Sequence, residues 1–254
     1  MTKRTNVLGV GLSVLDLPGA VAEIAAAVRE RRKGYICVTG VHGVMEAQAD
    51  PQFKRILNGA FLCTPDGMPM VWAGKLDGHK EMNRVYGPDL MLEVCAWSEG
   101  SGAKHFFYGG ADGVADLLAR SLKGKFPGLQ VAGTFTPPFR PLTEDETGGL
   151  QRMVSESNPD IFWVGLSTPK QEKFMAEFLP KLDATLMVGV GAAFDFHSGR
   201  MSQAPRWMQR SGLEWLFRLG SEPRRLWKRY LSNNPRFLWF FFLQKGGIKK
   251  YPMD

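Results

Sequence analysis

Strand-like and helix-like segments alternate along the first 199 residues, and this alternation constrains the fold more than any other feature. Short apolar runs such as YICVTG, AFLCTPDG, KHFFYGG and DIFWVGLS are separated by amphipathic stretches. Those stretches are about 10–15 residues long, the length of crossover helices between parallel strands. The sequence therefore predicts an α/β fold with a mainly parallel sheet covered by helices on both faces. The segment from Ala184 to Phe196 is predicted as one of its strands.

The charge is distributed unevenly and suggests where the chain divides. Residues 200–254 contain 12 Lys/Arg and 3 Asp/Glu, a net charge of +9, whereas residues 1–199 have 20 and 22, a net charge of −2. We therefore predict an α/β core over 1–199 and a basic, aromatic-rich, helical C-terminal appendage over 200–254. Such an appendage favours an anionic partner: nucleic acid, phospholipid or a phosphorylated substrate.

Aromatic residues in the basic segment favour one of these anionic partners. The run FLWFFFL, Phe237–Leu243, is seven residues long and too short to span a bilayer. Beside arginines and lysines it favours contact with an anionic membrane surface. No nucleic-acid motif is present. The alternative is a helical pair packed on the core with solvated arginines.

The cysteines and the N-terminal residues predict a cytoplasmic protein. The three cysteines are far apart and form no CxxC pair, which disfavours a disulfide framework or a zinc site. We expect no secretory signal, because the N-terminus has no long apolar stretch before a cleavage site. The four histidines are scattered, and no metal site is predicted.

Unusual residues follow the predicted strands. Open α/β sheets bind ligands beyond the carboxyl ends of their strands. The residues at these ends are Thr39-Gly40, Asp66, Gly109-Gly110, Ser167 to Pro169, and Gly189 to Asp195.

Asp66 and Arg84 are candidates for catalysis. An aspartate at a strand end can act as a general base, but Asp66 could also cap the next helix or bind a metal. Arg84 could neutralise phosphate or lie on the surface. Sequence spacing alone leaves both alternatives open.

The remaining candidates have structural alternatives as well. Gly109-Gly110 forms either a tight turn or a diphosphate contact. Ser167 or Thr168 could cap a helix. Capping does not explain Gln171, whose side-chain amide could hydrogen-bond the edge of a nucleobase or a sugar. Asp195 lies between two phenylalanines, and a carboxylate in apolar surroundings needs a polar partner. That partner could be a ligand or the backbone of the next turn, which Asp195 would cap.

Taken together, the motifs resemble those of the WecG/TagA/CpsF glycosyltransferases over nearly the whole chain. The resemblance rests on TPDGMPMVW, RVYGPDLM, YGGADGVAD, VGLSTPKQEKF, GVGAAFDFHSGRMSQAPRWMQRSGLEWLFRL and EPRRLWKRY. It implies a Rossmann-like core and an inverting, metal-independent transferase. The donor would be a UDP-sugar and the acceptor a polyprenyl-diphosphate-linked saccharide for cell-surface or exopolysaccharide synthesis. The enzyme would work as a peripheral protein at the inner face of the cytoplasmic membrane, where self-association is possible.

The resemblance also implies roles for individual residues. Asp66 matches the proposed general base, Arg84 an arginine that binds substrate or stabilises the diphosphate, and Gln171 a glutamine near the sugar. Asp195 matches an acid placed for the uridine. The other implied donor contacts are Gly109, Gly110, Gly191, Arg218 and Arg225, with Lys228 near a further basic position.

One loop departs from the family pattern. Relatives often have Thr-x-Asn after the YICV strand, whereas this chain has Val38-Thr39-Gly40. The asparagine is missing and the threonine is displaced by one position, although Thr39 remains a catalytic candidate. The transferred sugar is therefore open among N-acetylmannosamine, its uronic acid and a hexose such as glucose.

Overall fold

A computed structural model describes residues 2–253, which form a six-stranded parallel sheet and a separate two-stranded sheet. The strands are β1 (Arg4–Val7), β2 (Val10–Ser13), β3 (Gly34–Thr39), β4 (Leu62–Pro65), β5 (Lys104–Gly109), β6 (Gln130–Phe135), β7 (Ile161–Gly165) and β8 (Leu186–Gly189). The larger sheet has the order β4-β3-β8-β7-β5-β6, and β1 pairs antiparallel with β2.

Helices separate most of the strands in the chain. They are α1 (Leu17–Arg29), α2 (Val41–Ala49), α3 (Pro51–Gly59), α4 (Met68–Leu76), α5 (Gly87–Ser101), α6 (Val114–Lys125), α7 (Glu144–Ser157), α8 (Lys170–Phe178), α9 (Ala193–His197), α10 (Arg206–Arg210), α11 (Glu214–Ser221) and α12 (Pro223–Lys245). The predicted α/β class, the parallel sheet and the helical C-terminal segment are confirmed.

The predicted strand from Ala184 to Phe196 is partly wrong. Strand β8 ends at Gly189, and Ala193–His197 forms the short helix α9. Gly191 has a φ of +50°, which is incompatible with a continuing strand, and the Ala193 amide then donates to the Val190 carbonyl. Asp195 therefore lies on a helix, not at the end of a strand.

The chain separates into two compact units. The first contains residues up to 16, residues 38–86 and the segment from 203 onward. Within it the C-terminal segment packs against the β1–β2 hairpin. The side-chain amide of Asn6 donates to the Tyr251 carbonyl, and the side-chain oxygen of Gln244 accepts from the backbone amide of Leu8. The C-terminal helices are thus part of this unit's structure. The predicted domain boundary between 199 and 200 stays a prediction.

The second unit contains residues 17–37 and 87–202. Its core contains stacked aromatic rings: Phe106 lies on Phe162, and Tyr108 is stacked on the partly exposed Phe174. His105 is also buried there, between the Ser98 hydroxyl and the Trp163 indole. Burial lowers the pKa of His105 to about 3, so the ring is a neutral part of the core.

Candidate active site

The loop after β4 presents Asp66 from a fixed backbone. The Asp66 amide donates to the Thr39 carbonyl at 2.9 Å, and the Val85 amide donates to the Pro65 carbonyl at 2.9 Å. Helix α4 begins after Gly67, which has a φ of +84°, and no side chain caps it. Asp66 is therefore not the helix cap that the sequence left open. Its carboxylate is directed elsewhere.

Arg84 lies between two carboxylates. Its Nε and Nη2 are 3.4 and 3.3 Å from Asp66 Oδ1, and Nη2 is 2.5 Å from Glu214 Oε2 in α11. The Arg84 guanidinium also lies 4.0 Å from the centre of the Tyr86 ring. Its side chain is only 14% exposed. The alternative of a surface arginine is therefore wrong, and the geometry brings the predicted pair Asp66 and Arg84 together.

The surroundings of Asp66 make it a stronger base. Its side chain keeps 32% exposure, yet the protein packed around the carboxylate raises its pKa from the ordinary 3.8 by desolvation. Arg84 opposes this shift, Glu214 adds to it by repulsion, and Arg218 opposes it more weakly. The net direction is upward. A partly accessible carboxylate with a raised pKa suits proton abstraction.

Arg84 stays charged in this setting. Burial alone would lower its pKa, but Asp66 and Glu214 raise it above the usual arginine value. The Tyr86 phenol stays protonated, because burial and the same two carboxylates raise its pKa. The site thus combines two carboxylates and one fixed cation above a neutral ring.

The C-terminal helices add a cluster of arginines. Arg218 and Arg225 both face Glu222, at 3.6 and 2.5 Å. Arg229 is half-buried near them on α12: burial lowers its pKa, Tyr230 opposes this shift, and the charges of Arg218 and Arg225 add to it. Guanidinium groups gathered in this way suit recognition of an anion such as phosphate. Lys228, the residue predicted from the resemblance, instead lies exposed beside the Trp227 ring at 5.5 Å.

Thr39 lies beneath Asp66. Its side chain is 2% exposed and accepts a hydrogen bond from the Cys63 thiol at 3.3 Å, so its backbone carbonyl is what holds Asp66. Gly40 packs against the same loop, since a Cβ there would lie 2.9 Å from the Asp66 carbonyl oxygen. A larger residue at position 40, such as the family asparagine, would require the Asp66 loop to shift.

Gln171, in the second unit, is buried and forms hydrogen bonds through both its side-chain oxygen and its side-chain nitrogen. Its Oε1 accepts from the Gly191 amide at 3.0 Å, and its Nε2 donates to Glu172 Oε1 at 3.0 Å. The Thr168 hydroxyl donates to the same carboxylate oxygen at 2.8 Å. Burial raises the pKa of Glu172. These bonds, not helix capping by Thr168, explain the polar residues at the start of α8, and they hold the Gly191 turn in place.

The glycine pair after β5 is required by close packing. Gly109 has a φ of +128°, and a Cβ there would lie 2.6 Å from the Gly165 carbonyl oxygen. Gly110 donates its amide to that oxygen at 3.0 Å. Close packing therefore accounts for both glycines, and a diphosphate contact here stays a prediction. Asp195 is half-buried on α9, and its carbonyl accepts from the amides of Arg200 and Met201.

Sequence reasoning missed Glu214, Tyr86 and Arg229. Glu214 is 130 residues from Arg84, and no spacing rule connects the two. Tyr86 lies in the RVYGPDLM motif, but only the structure shows its ring against the guanidinium. Arg229 follows Lys228 directly, so helix geometry rather than residue type decides which of them joins the cluster.

Residues 2–253 lack two features, a metal-binding cluster and a membrane-spanning helix. No group of three or more His, Cys, Asp or Glu side chains is arranged to hold a metal ion. No helix in the same range combines the length and apolar character needed to cross a bilayer.

Comparison with known proteins shows the family of the chain. The profile of the glycosyl transferase WecG/TagA/CpsF family matches residues 5–251. The chain belongs to this family. A Bacillus spizizenii relative is 30% identical over 218 residues, which cover 85% of this chain and 82% of the relative. A Bacillus subtilis relative is 29% identical over 183 residues, which cover 72% and 69%.

Both relatives are named N-acetylglucosaminyldiphosphoundecaprenol N-acetyl-β-D-mannosaminyltransferase. The predicted enzyme class is therefore confirmed, and this protein is a glycosyltransferase. The resemblance inferred from the motifs is confirmed with it.

Proposed function

We propose that this glycosyltransferase moves N-acetylmannosamine from a UDP-sugar to a polyprenyl-diphosphate-linked saccharide, with inversion and without a metal. The observation that carries the proposal is Asp66, held at the end of β4 with a raised pKa beside a charged, buried Arg84. The names of the two Bacillus relatives support this choice of sugar and acceptor over the uronic acid or glucose.

The reaction is a single displacement. Asp66 takes the proton of an acceptor hydroxyl, and the hydroxyl oxygen attacks the anomeric carbon of the donor. The bond from that carbon to the diphosphate oxygen breaks, and UDP leaves with the bonding electrons. Arg84 meets the developing charge, and the arginine cluster of Arg218, Arg225 and Arg229 contributes further positive charge. Fixed guanidinium groups would supply the charge stabilisation that a metal provides in other transferases.

Contacts to the rest of the donor stay predictions from the resemblance. Gly109, Gly110 and Asp195 would contact the nucleotide, while Gln171 would hold the Gly191 turn beside it. Thr39 would act through its carbonyl, which fixes the Asp66 loop.

The proposal is tested by UDP release from the full chain with a lipid-diphosphate-linked N-acetylglucosamine acceptor. UDP-N-acetylmannosamine, its uronic acid and UDP-glucose would be compared, each with and without EDTA. We expect turnover with the first donor, unchanged by EDTA and dependent on acceptor. Faster turnover of another donor would reject the sugar assignment. Loss of activity in EDTA, restored by added metal, would reject metal independence.

A second part of the proposal concerns helix α12, which exposes an apolar stripe. Leu226 and Phe237 are buried on one side, and Asn233 there bonds His42 at 3.1 Å. The opposite side exposes Trp227, Leu231, Leu238, Trp239 and Phe242. The spacing of these five residues places them within one broad face of the helix.

Basic residues accompany this stripe. Arg224 and Lys228 are exposed within one turn of Trp227. An apolar face flanked by cations suits the interface of a membrane that contains anionic lipid. We therefore propose that α12 docks the enzyme on the inner face of the cytoplasmic membrane, where a polyprenyl-linked acceptor would be located. Self-association stays a separate prediction.

Replacing both Leu231 and Leu238 by serine should weaken vesicle binding by about a hundredfold or more, because the variant loses the burial of two leucines, each worth roughly 1.5–3 kcal/mol. Binding would be measured by cosedimentation with phosphatidylglycerol-containing and with pure phosphatidylcholine vesicles. Leu117→Ser, an exposed leucine on α6, is the matched control. Equal binding by the double variant and the control would contradict docking through α12. Equal binding to both vesicle types would contradict a role for anionic lipid.

A further inference from the structure

The tightest contact of Arg84 is with the C-terminal segment, not with the predicted base. Glu214 Oε2 is 2.5 Å from Arg84 Nη2, whereas Asp66 Oδ1 is 3.3 Å from the same nitrogen. Glu214 is 14% exposed and lies in the first turn of α11, where the helix dipole favours a carboxylate. The contact therefore fixes both the guanidinium and the start of α11.

We propose that Glu214 is a positioning residue for the reaction: by holding the Arg84 guanidinium, it keeps Asp66 available as a base. This inference rests on the function proposed above, because it assumes that Asp66 accepts the proton. Glu214 is not assigned a contact with substrate. It acts through Arg84 and through its own charge.

The charges around Asp66 explain why this third group matters. Arg84 faces Asp66 from the loop before α5, and Glu214 and Arg218 face it from α11. Tyr86 covers Arg84 and stays neutral. An aspartate paired only with arginines would be a weak base, because the cations stabilise its ionised form. Glu214 offsets this effect in two ways, by drawing the guanidinium to itself and by repelling the Asp66 carboxylate.

One consequence is that the C-terminal segment contributes to the strength of the base. If α11 were displaced, Glu214 would leave and Arg84 would face Asp66 alone. The basicity of Asp66 would then fall even though the loop after β4 was unchanged. Docking of α11 thereby contributes to the chemistry.

The test is the pH dependence of kcat/KM for UDP release by the full chain and by Glu214→Gln. Glutamine has the same shape and no charge, so the acid limb should move to lower pH by roughly one unit. The plateau should also fall, because Arg84 is held less firmly. Glu214→Asp, which keeps the charge, should leave the acid limb near that of the native enzyme. Glu30→Gln removes a glutamate from an exposed ion pair with Arg32 and is the matched control.

The outcomes separate this inference from the proposed function. If the native enzyme turns over and Asp66→Asn does not, but the acid limb is the same in Glu214→Gln and Glu30→Gln, the role of Glu214 is rejected and the function stands. The role is also rejected if Glu214→Asp moves the limb as far as Glu214→Gln. If Asp66→Asn turns over like the native enzyme, the assignment of the base itself fails. Thermal unfolding of each variant would be recorded, so that a fold defect is recognised by a lowered melting temperature.

Discussion

Asp66→Asn should reduce kcat for UDP release by about 10²–10⁴-fold, the usual contribution of a general base. Asparagine preserves the shape of the side chain and can still contact Arg84, but it cannot accept the proton of the acceptor hydroxyl. Donor binding should change little, because Asp66 is assigned to the acceptor. Steady-state rates with the native acceptor and direct titration of UDP would measure the two effects separately.

The same substitution should not weaken the fold. A raised pKa means that ionised Asp66 costs the folded state stability at any pH above its ordinary pKa of 3.8. Asparagine removes that cost, although it also removes one of the two carboxylates that balance Arg84. We therefore expect a melting temperature near that of the native enzyme at neutral pH, with the catalytic loss intact.

Asp116→Asn is the control for this experiment, since Asp116 is an exposed aspartate on α6 whose carboxylate accepts from Thr134. The control should keep native activity. Turnover by Asp66→Asn within a few-fold of native would show that another group removes the proton. A loss seen equally in both variants would point to a general effect of charge rather than to a base.

The strand ends were predictable from the sequence, and the partners of the residues there were not. Asp66 and Gln171 stand out because each follows an apolar strand at the carboxyl edge of a parallel sheet. The pairing of Arg84 with Glu214 depends on how α11 packs, and local patterns carry no information on a contact between residues 130 positions apart. The predicted strand is longer than β8 because VGVGAAFDF is apolar except for Asp195, and periodicity cannot distinguish a strand from a short buried helix.

Lys228 shows a second limit of predicting site residues from the sequence. The resemblance pointed to Lys228 as a basic residue of the site, but a helix turns by about 100° per residue, so adjacent residues face different directions. Lys228 is exposed, whereas Arg229 is half-buried beside Arg218 and Arg225. Matching by sequence position fixes the helix but not which of two adjacent cations faces the cluster.

Arg84→Lys should reduce kcat by about 10²–10³-fold, the cost of losing one fixed group that stabilises charge in the transition state. Lysine keeps the positive charge, but it lacks the fork with which arginine contacts Asp66 and Glu214 at once. The positive charge at position 84 would then no longer be fixed beside the diphosphate oxygen on which negative charge develops. Because this interaction strengthens as the bond to the sugar breaks, kcat should fall more than KM rises.

Arg140→Lys is the matched control for that variant. Arg140 forms a two-pronged pair with Glu146 at 2.7 and 2.8 Å, so the same substitution there breaks a similar fork at an exposed position. The control should retain native rates. The double variant Asp66→Asn/Arg84→Lys should lose less than the product of the two single losses, because both residues act in one proton-transfer and leaving-group step. Fully multiplicative losses would instead mean that Arg84 acts independently of Asp66, and a rate within a few-fold of native for Arg84→Lys would remove it from the reaction.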